Sequence, residues 1–245
     1  MKRTILFFLA LSSLGVGFSQ EKSKGGFLGN VKDALNKVKT GNSSSLSNDE
    51  VIAGLKEALS VGASNSTDKL SAANGFFKDA AVKILMPDQV RKVEKKMRLL
   101  GMGKMVDNAI LSMNRAAEDA SKSAAPIFLN AIKGMSIKDA LNILRGTDTA
   151  ATGYLRKTTS NPLTDAFRPV IESSLAKVDA TKYWKDVFSV YNRFSSEPVN
   201  TDLNAYVTER ALSGIFFYVA EEEKKIRKDP AARATDLLKK VFANK

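Results

Sequence analysis

The chain has 245 residues, 44% of them apolar, and its 38 Lys and Arg against 26 Asp and Glu give a net charge of +12. It contains no Cys and no His, which excludes disulfides, structural zinc sites of the Cys/His type, thiol nucleophiles and any relay that passes a proton through imidazole. This apolar fraction over this length supports a core without covalent staples, as one large domain or two small ones, and the positive balance favours anionic surroundings.

Lys2 and Arg3 precede an apolar run over residues 5–16, with small residues at Gly17 and Ser19. That layout predicts a signal peptide at 1–19, cleaved after Ser19. The run is about 12 residues, short of the roughly 20 a spanning helix needs. With no cysteine for lipid attachment, the expected product is exported, periplasmic or secreted, and soluble after cleavage. Residues 20–46 are rich in Lys, Gly, Ser and Asn and predict a flexible basic linker. Within it Phe27, Leu28, Val31, Leu35 and Val38 share one helical face, a short amphipathic helix suited to a membrane surface or to docking on the main domain.

The main domain is expected over 47–245. Ser47-Asn48-Asp49-Glu50 reads as a capping box, followed by an inward face of Val51, Leu55, Ala58 and Leu59. Gly62 and the polar stretch 64–68 predict an interruption, and a second helix is expected over about 69–85, carrying Leu70, Phe76, Phe77, Ala81 and Ile84. Pro87 opens the next helix, with Val90, Val93, Met97 and Leu100 at helical spacing, ended or kinked at Gly101 and Gly103. A helix over about 104–122 turns Met105, Val106, Ile110, Met113 and Ala117 inward. Pro126 marks another start or kink, and the segment 127–132 stops at Gly134.

Ser136-Ile137-Lys138-Asp139 is a second capping signature; its helix presents Ile137, Leu141 and Leu144 and closes at Gly146. A helix over 149–159 is followed by one opened at Asn161-Pro162, with Leu163, Phe167, Val170, Ile171 and Leu175 inward and a break expected at Pro169. Trp184, Val187, Phe188 and Tyr191 line the next. After a loop at 194–200, a long helix covers about 201–228, burying Ile215, Phe216, Val219 and Ile226. Asp229-Pro230 reads as cap and first turn of a terminal helix that buries Leu237, Leu238, Val241 and Phe242. No segment alternates with period two. The fold class is therefore all-α: a single multi-helix, bundle-like domain preceded by the signal peptide and the basic segment.

Four constellations carry chemistry. Asn114 and Glu118 lie four apart on one helix face and Arg115 reaches Glu118 and Asp119; they would contact a ligand, or join helices in an ion-pair network. The run 221–229 holds Glu221, Glu222 and Glu223 with Lys225 and Arg227 at pairing distance, the pattern of a solvated helix face rather than of an acid/base pair. Arg91, Lys92, Lys95, Lys96 and Arg98 form an anion-binding candidate on the outer face of a helix; no aromatic is interleaved, which disfavours nucleic acid. The small residues of 147–153, with Tyr154 and Arg156, would line a pocket or permit close helix packing. No P-loop, dinucleotide fingerprint or EF-hand is present, so no cofactor, metal or catalytic residue is assigned.

Gly54-Leu55-Lys56-Glu57-Ala58-Leu59, Asn114-Arg115-Ala116-Ala117-Glu118, Ala140-Leu141-Asn142-Ile143-Leu144-Arg145-Gly146, Ala150-Ala151-Thr152-Gly153-Tyr154 and Ile226-Arg227-Lys228-Asp229-Pro230, in this order, resemble a bacterial exported family, domain-of-unknown-function family 4197. The resemblance spans about 47–242. It implies one all-helical exported domain and carries over no catalytic or binding residue. Some members have a lipid-attachment cysteine after the signal; this chain has none.

These readings converge on an exported, non-catalytic helical binding or scaffold protein of the bacterial cell envelope. A groove between helices, lined by residues such as Tyr154, Trp184 and Phe216, would take an apolar ligand or a partner protein's helix, with an anionic envelope surface as a further partner. The alternatives are a carboxylate-dependent hydrolase of envelope glycans using Glu118 and an electrostatic binder of anionic polymer through residues 91–98.

Overall fold

A reciprocal pair of bonds sets the first turn. Ser47 Oγ accepts from the Glu50 amide at 3.3 Å, and Glu50 Oε2 accepts from the Ser47 amide at 2.9 Å. The expected capping box is therefore present. The computed structural model describes residues 47–242 apart from 179, 197, 199, 200 and 234, without the side chains of 183, 186, 187, 190, 230, 238, 240 and 242. The signal peptide expected at 1–19, the linker and amphipathic helix expected at 20–46, and the inward side chains of Val187, Leu238 and Phe242 lie outside that description.

Among the described residues every regular element is helical. In chain order they are α1 (Asn48–Ser71), α2 (Arg91–Met97), α3 (Gly103–Ser121), α4 (Ala124–Lys133), α5 (Ile137–Arg145), α6 (Ala150–Ala176), α7 (Ala180–Asn192), α8 (Leu203–Lys228) and α9 (Asp236–Phe242), with short turns of tighter or wider helix at Asp88–Val90, Arg98–Met102 and Pro230–Ala232. The all-α reading holds. None of these helices is long and apolar enough to cross a membrane.

Several boundaries differ from expectation, each for a physical reason. α1 runs through Gly62 and the polar stretch without interruption. Its hydroxyls turn back onto the helix, Ser66 Oγ donating to Gly62 O at 2.7 Å and Thr67 Oγ1 to Ala63 O at 2.9 Å, so they do not compete with the ladder from outside. The helix expected at 69–85 does not form. Residues 72–87 are irregular, yet Phe76, Val82 and Ile84 are buried: the apolar pattern marked core, not helix, and Ala81 faces out. Expected breaks at Pro162 and Pro169 are absent, because α6 spans both. The two prolines are exposed, seven positions apart on one face, and the carbonyls that lose an amide partner to them, on Thr158 and Asp165, belong to exposed residues.

The terminal α-helix starts at Asp236, later than Asp229-Pro230 implied; Asp229 instead accepts from the Ala231 amide at 2.8 Å and opens the short turn before it. Leu100, Met105 and Ile137, expected inward, are exposed. Ile137 sits at the first position of α5, whose buried face is Ala140 and Ile143. Leu100 and Met105 are thrown outward where the chain turns at Gly101, the one glycine among the described residues with left-handed backbone (φ 83°).

α6 and α8 pack along each other and both against α3, α8 also packs on α1, and α4 closes one side on α1 and α6. The fully buried rings of Phe76, Phe128, Phe167 and Phe216 fill the centre, with Phe128 edge-on to Phe216 at 5.8 Å. Gly214 on α8 makes room for Phe76: a Cβ there would lie 2.6 Å from the ring. α7 packs on α6 and α8 rather than on α3, and that leaves a groove.

Candidate functional site

The polar cluster on α3 is built into the core. Asn114 is buried; its Oδ1 accepts from the Ile84 amide at 2.9 Å, and its Nδ2 donates to Ile84 O at 2.8 Å and to Ile110 O at 2.7 Å. Glu118, also buried, accepts from the amides of Phe76 and Phe77, both at 3.1 Å. Arg115 pairs with Glu118 at 2.5 Å and donates to Asn74 Oδ1 at 2.9 Å. Asn114 and Glu118 thus bond the backbone groups of Phe76, Phe77 and Ile84 for which the turns of residues 72–87 supply no partner, and Arg115 ties Glu118 to Asn74. Glu118 lines neither of the hollows described below.

The run 221–229 divides. Glu221 and Glu222 pair with Lys224 and Lys225 as on a solvated face. Glu223 is buried, which corrects that reading for this residue. It accepts from the Ala151 amide at 3.0 Å, the Thr152 amide at 2.8 Å and Thr152 Oγ1 at 2.9 Å. Thr149, the residue at the cap position of α6, makes no side-chain cap bond, so the helix takes its cap from α8. A carboxylate there also meets the positive end of the helix dipole. Arg227 pairs with Glu223 at 2.8 Å and donates to Ile143 O at 2.8 Å, with the pair's side chains 6% and 4% exposed.

A third cluster was not anticipated. Tyr218 on α8 donates to Asp79, Lys69 at the end of α1 pairs with Asp79 at 3.2 Å, and its ammonium lies 3.7 Å from the Tyr218 ring centre. Burial pushes the Asp79 carboxyl up, but bonds from Tyr218, the Ala81 amide and Lys69 together outweigh it and hold the group below its usual range. Burial, then the bond to Asp79, pushes the Tyr218 phenol up.

Of the basic candidates, Arg91 pairs with Asp88 at 2.7 Å, and Arg98 with Glu94 at 2.9 Å and Asp107 at 2.8 Å. Lys92, Lys95 and Lys96 are exposed and make no ion pair among the described residues.

Of Tyr154, Arg156, Trp184 and Phe216, the structure brings only Arg156 and Phe216 together. Tyr154 is half-buried and donates to Ala131 O at 3.3 Å. Arg156 lies over the Phe216 ring at 4.5 Å beside Gly153, around a shallow open hollow. Trp184 lies elsewhere, edge-on to Phe188 at 4.4 Å and stacked on Tyr206 at 5.6 Å.

Trp184 and Phe188 form one wall of the groove between α7 and α3. Its volume is about 610 Å³, and Met86, Met97, Met105 and Met113 contribute to its lining, with Lys104 at its edge. Two tyrosines hold the surrounding chain: Tyr206 donates to Leu85 O at 2.8 Å and Tyr191 to Gln89 O at 3.0 Å. The methionines escaped the sequence reading, although a signal was there. Of the seven in the chain, five fall between residues 86 and 113, and unbranched thioethers suit an adaptable apolar surface. No group of three or more carboxylates able to hold a metal ion occurs among the described residues.

A family model described as a protein of unknown function (DUF4197) matches residues 45–243. No curated protein and no solved structure matches the chain.

Proposed function

The chain belongs to domain-of-unknown-function family 4197, a membership that names no reaction, and from the geometry we propose that it is an exported, non-catalytic binding protein that holds an apolar ligand between α3 and α7. The observation that carries this reading is the methionine-lined groove. Its volume, about 610 Å³, falls in the range of roughly 300–1,000 Å³ typical of small-molecule sites. Thioether side chains reshape around ligands of differing outline at little cost. The ammonium of Lys104 at the edge suits an amphiphile with an anionic head. Export rests on the residues of 1–19.

Trp184 is the sole tryptophan and lies in the groove wall, so its fluorescence reports occupancy directly. Titration with dodecanoate is expected to give a saturable change in Trp184 emission. Met105→Asp, on an exposed position of that wall, is expected to weaken binding about tenfold or more, because a carboxylate must be desolvated beside the chain. An unresponsive Trp184, or unchanged affinity in the Met105→Asp protein, would reject the groove as the binding site.

A further inference from the structure

The corner joining α2 to α3 leaves two leucines in solvent. Leu99 is 86% exposed and Leu100 75%, with Met102 also exposed. The corner packs chiefly on the two helices it joins. At Gly101 a Cβ would meet nothing within 4 Å, so this is a convex tip and not the rim of a packed surface. Single exposed leucines are ordinary; two adjacent ones at a free corner leave apolar area unpartnered.

The charge around the tip is sorted. Asp88, Glu94 and Asp107 are each held by Arg91 or Arg98. Lys92, Lys95 and Lys96 on α2 and Lys104 at the start of α3 are exposed, with no ion pair among the described residues. The tip therefore shows apolar side chains flanked along the chain, on α2 and at the start of α3, by exposed lysines that make no ion pair among the described residues.

We propose that the 99–102 corner is an interfacial anchor that seats the domain on a bilayer carrying anionic lipid. Leu99, Leu100 and Met102 enter the boundary between headgroups and acyl chains, and the lysines extend to the lipid phosphates. A protein partner fits this surface less well. Lysine is depleted from the centres of protein interfaces, and a convex tip offers no pocket for an anchoring side chain.

The test is cosedimentation of the full chain with vesicles of phosphatidylcholine, with and without phosphatidylglycerol. Binding is expected to the anionic vesicles and to weaken with salt. Leu99→Ser/Leu100→Ser should lower partitioning about tenfold or more. Lys92→Gln/Lys95→Gln/Lys96→Gln should lower it about fivefold per lysine at low salt and flatten the salt dependence. All the replaced side chains are exposed, and circular dichroism verifies the helix content. Equal binding to neutral vesicles overturns the proposal. So does undiminished binding by both variants, which would place the contact elsewhere in the chain. A wild-type dimer that the leucine variant dissociates overturns it too, by assigning the tip to a second copy. These variants leave the dodecanoate titration of Trp184 unchanged, so failure here is separable from failure of the groove.

Discussion

Asn114 and Glu118 illustrate what a single side chain does in this fold. Each bonds backbone groups of Phe76, Phe77 or Ile84 for which the turns of that segment supply no backbone partner. Asp79 does similar work at the surface, joining α1 to α8 through Lys69 and Tyr218. Its carboxyl is held below the usual range, so its stabilisation is present above its unfolded value, about 3.9, and is lost as pH falls through the folded value. Tyr218 is raised, so its share is present below about 10 and is lost as pH rises through the folded value. Both shares are in place at neutral pH. Asp79→Asn is expected to destabilise by about 1–2 kcal/mol at pH 7. In urea unfolding the difference from wild type should close in acid, where the native carboxyl is protonated as well. A difference of the same size at both pH values would contradict this role. The sequence shows that Asn114, Arg115 and Glu118 share a face. It does not show what they hold, because their partners are backbone amides that every residue but proline possesses.

At the scale of elements, legibility followed the local signals. Both capping boxes, at Ser47 and Ser136, form as their spacing implies, and the chain turns or stops at Gly101, Gly134 and Gly146. Local signals failed where tertiary contacts decide. The polar second half of α1 stays helical against α8, and the apolar segment 72–87 stays irregular because α3 satisfies its backbone. α6 is the sharpest case. Leu155, Thr159, Leu163, Phe167, Ile171 and Leu175 form one buried stripe, and that stripe holds the helix through two exposed prolines. Its backbone there is helical by packing and not by preference. Pro169→Ala is accordingly expected to raise stability by about 1–2 kcal/mol, regaining a backbone bond at a modest cost in unfolded-state entropy. The measurement is the thermal midpoint by circular dichroism. A lowered midpoint would mean that the proline ring itself supports the packing.

For the molecule as a whole, the groove could not be read from the sequence because its walls come from residues around 86–113 and 178–203, whose approach is set by the packing of α6 and α8. Trp184 was expected in a groove with Tyr154 and Phe216, neither of which lines this one, and Met86, Met97, Met105 and Met113 were not expected in any. The same long-range logic governs stability. Glu223→Gln leaves Arg227 buried without its carboxylate and removes an acceptor from the first turn of α6, and is expected to cost about 3–5 kcal/mol in urea unfolding. A loss below about 1 kcal/mol would show that the pair is dispensable. The cap also carries a consequence in time. The amides of Ala151 and Thr152 are satisfied by a residue 72 and 71 positions downstream. A ribosome must therefore pass Glu223 before α6 acquires its cap, and Gly54 on α1 meets Leu237 and Val241 only once those residues have emerged. α1 and α6 are thus completed by α8 and α9, so both helices wait through the synthesis of the residues between for the contacts that close them.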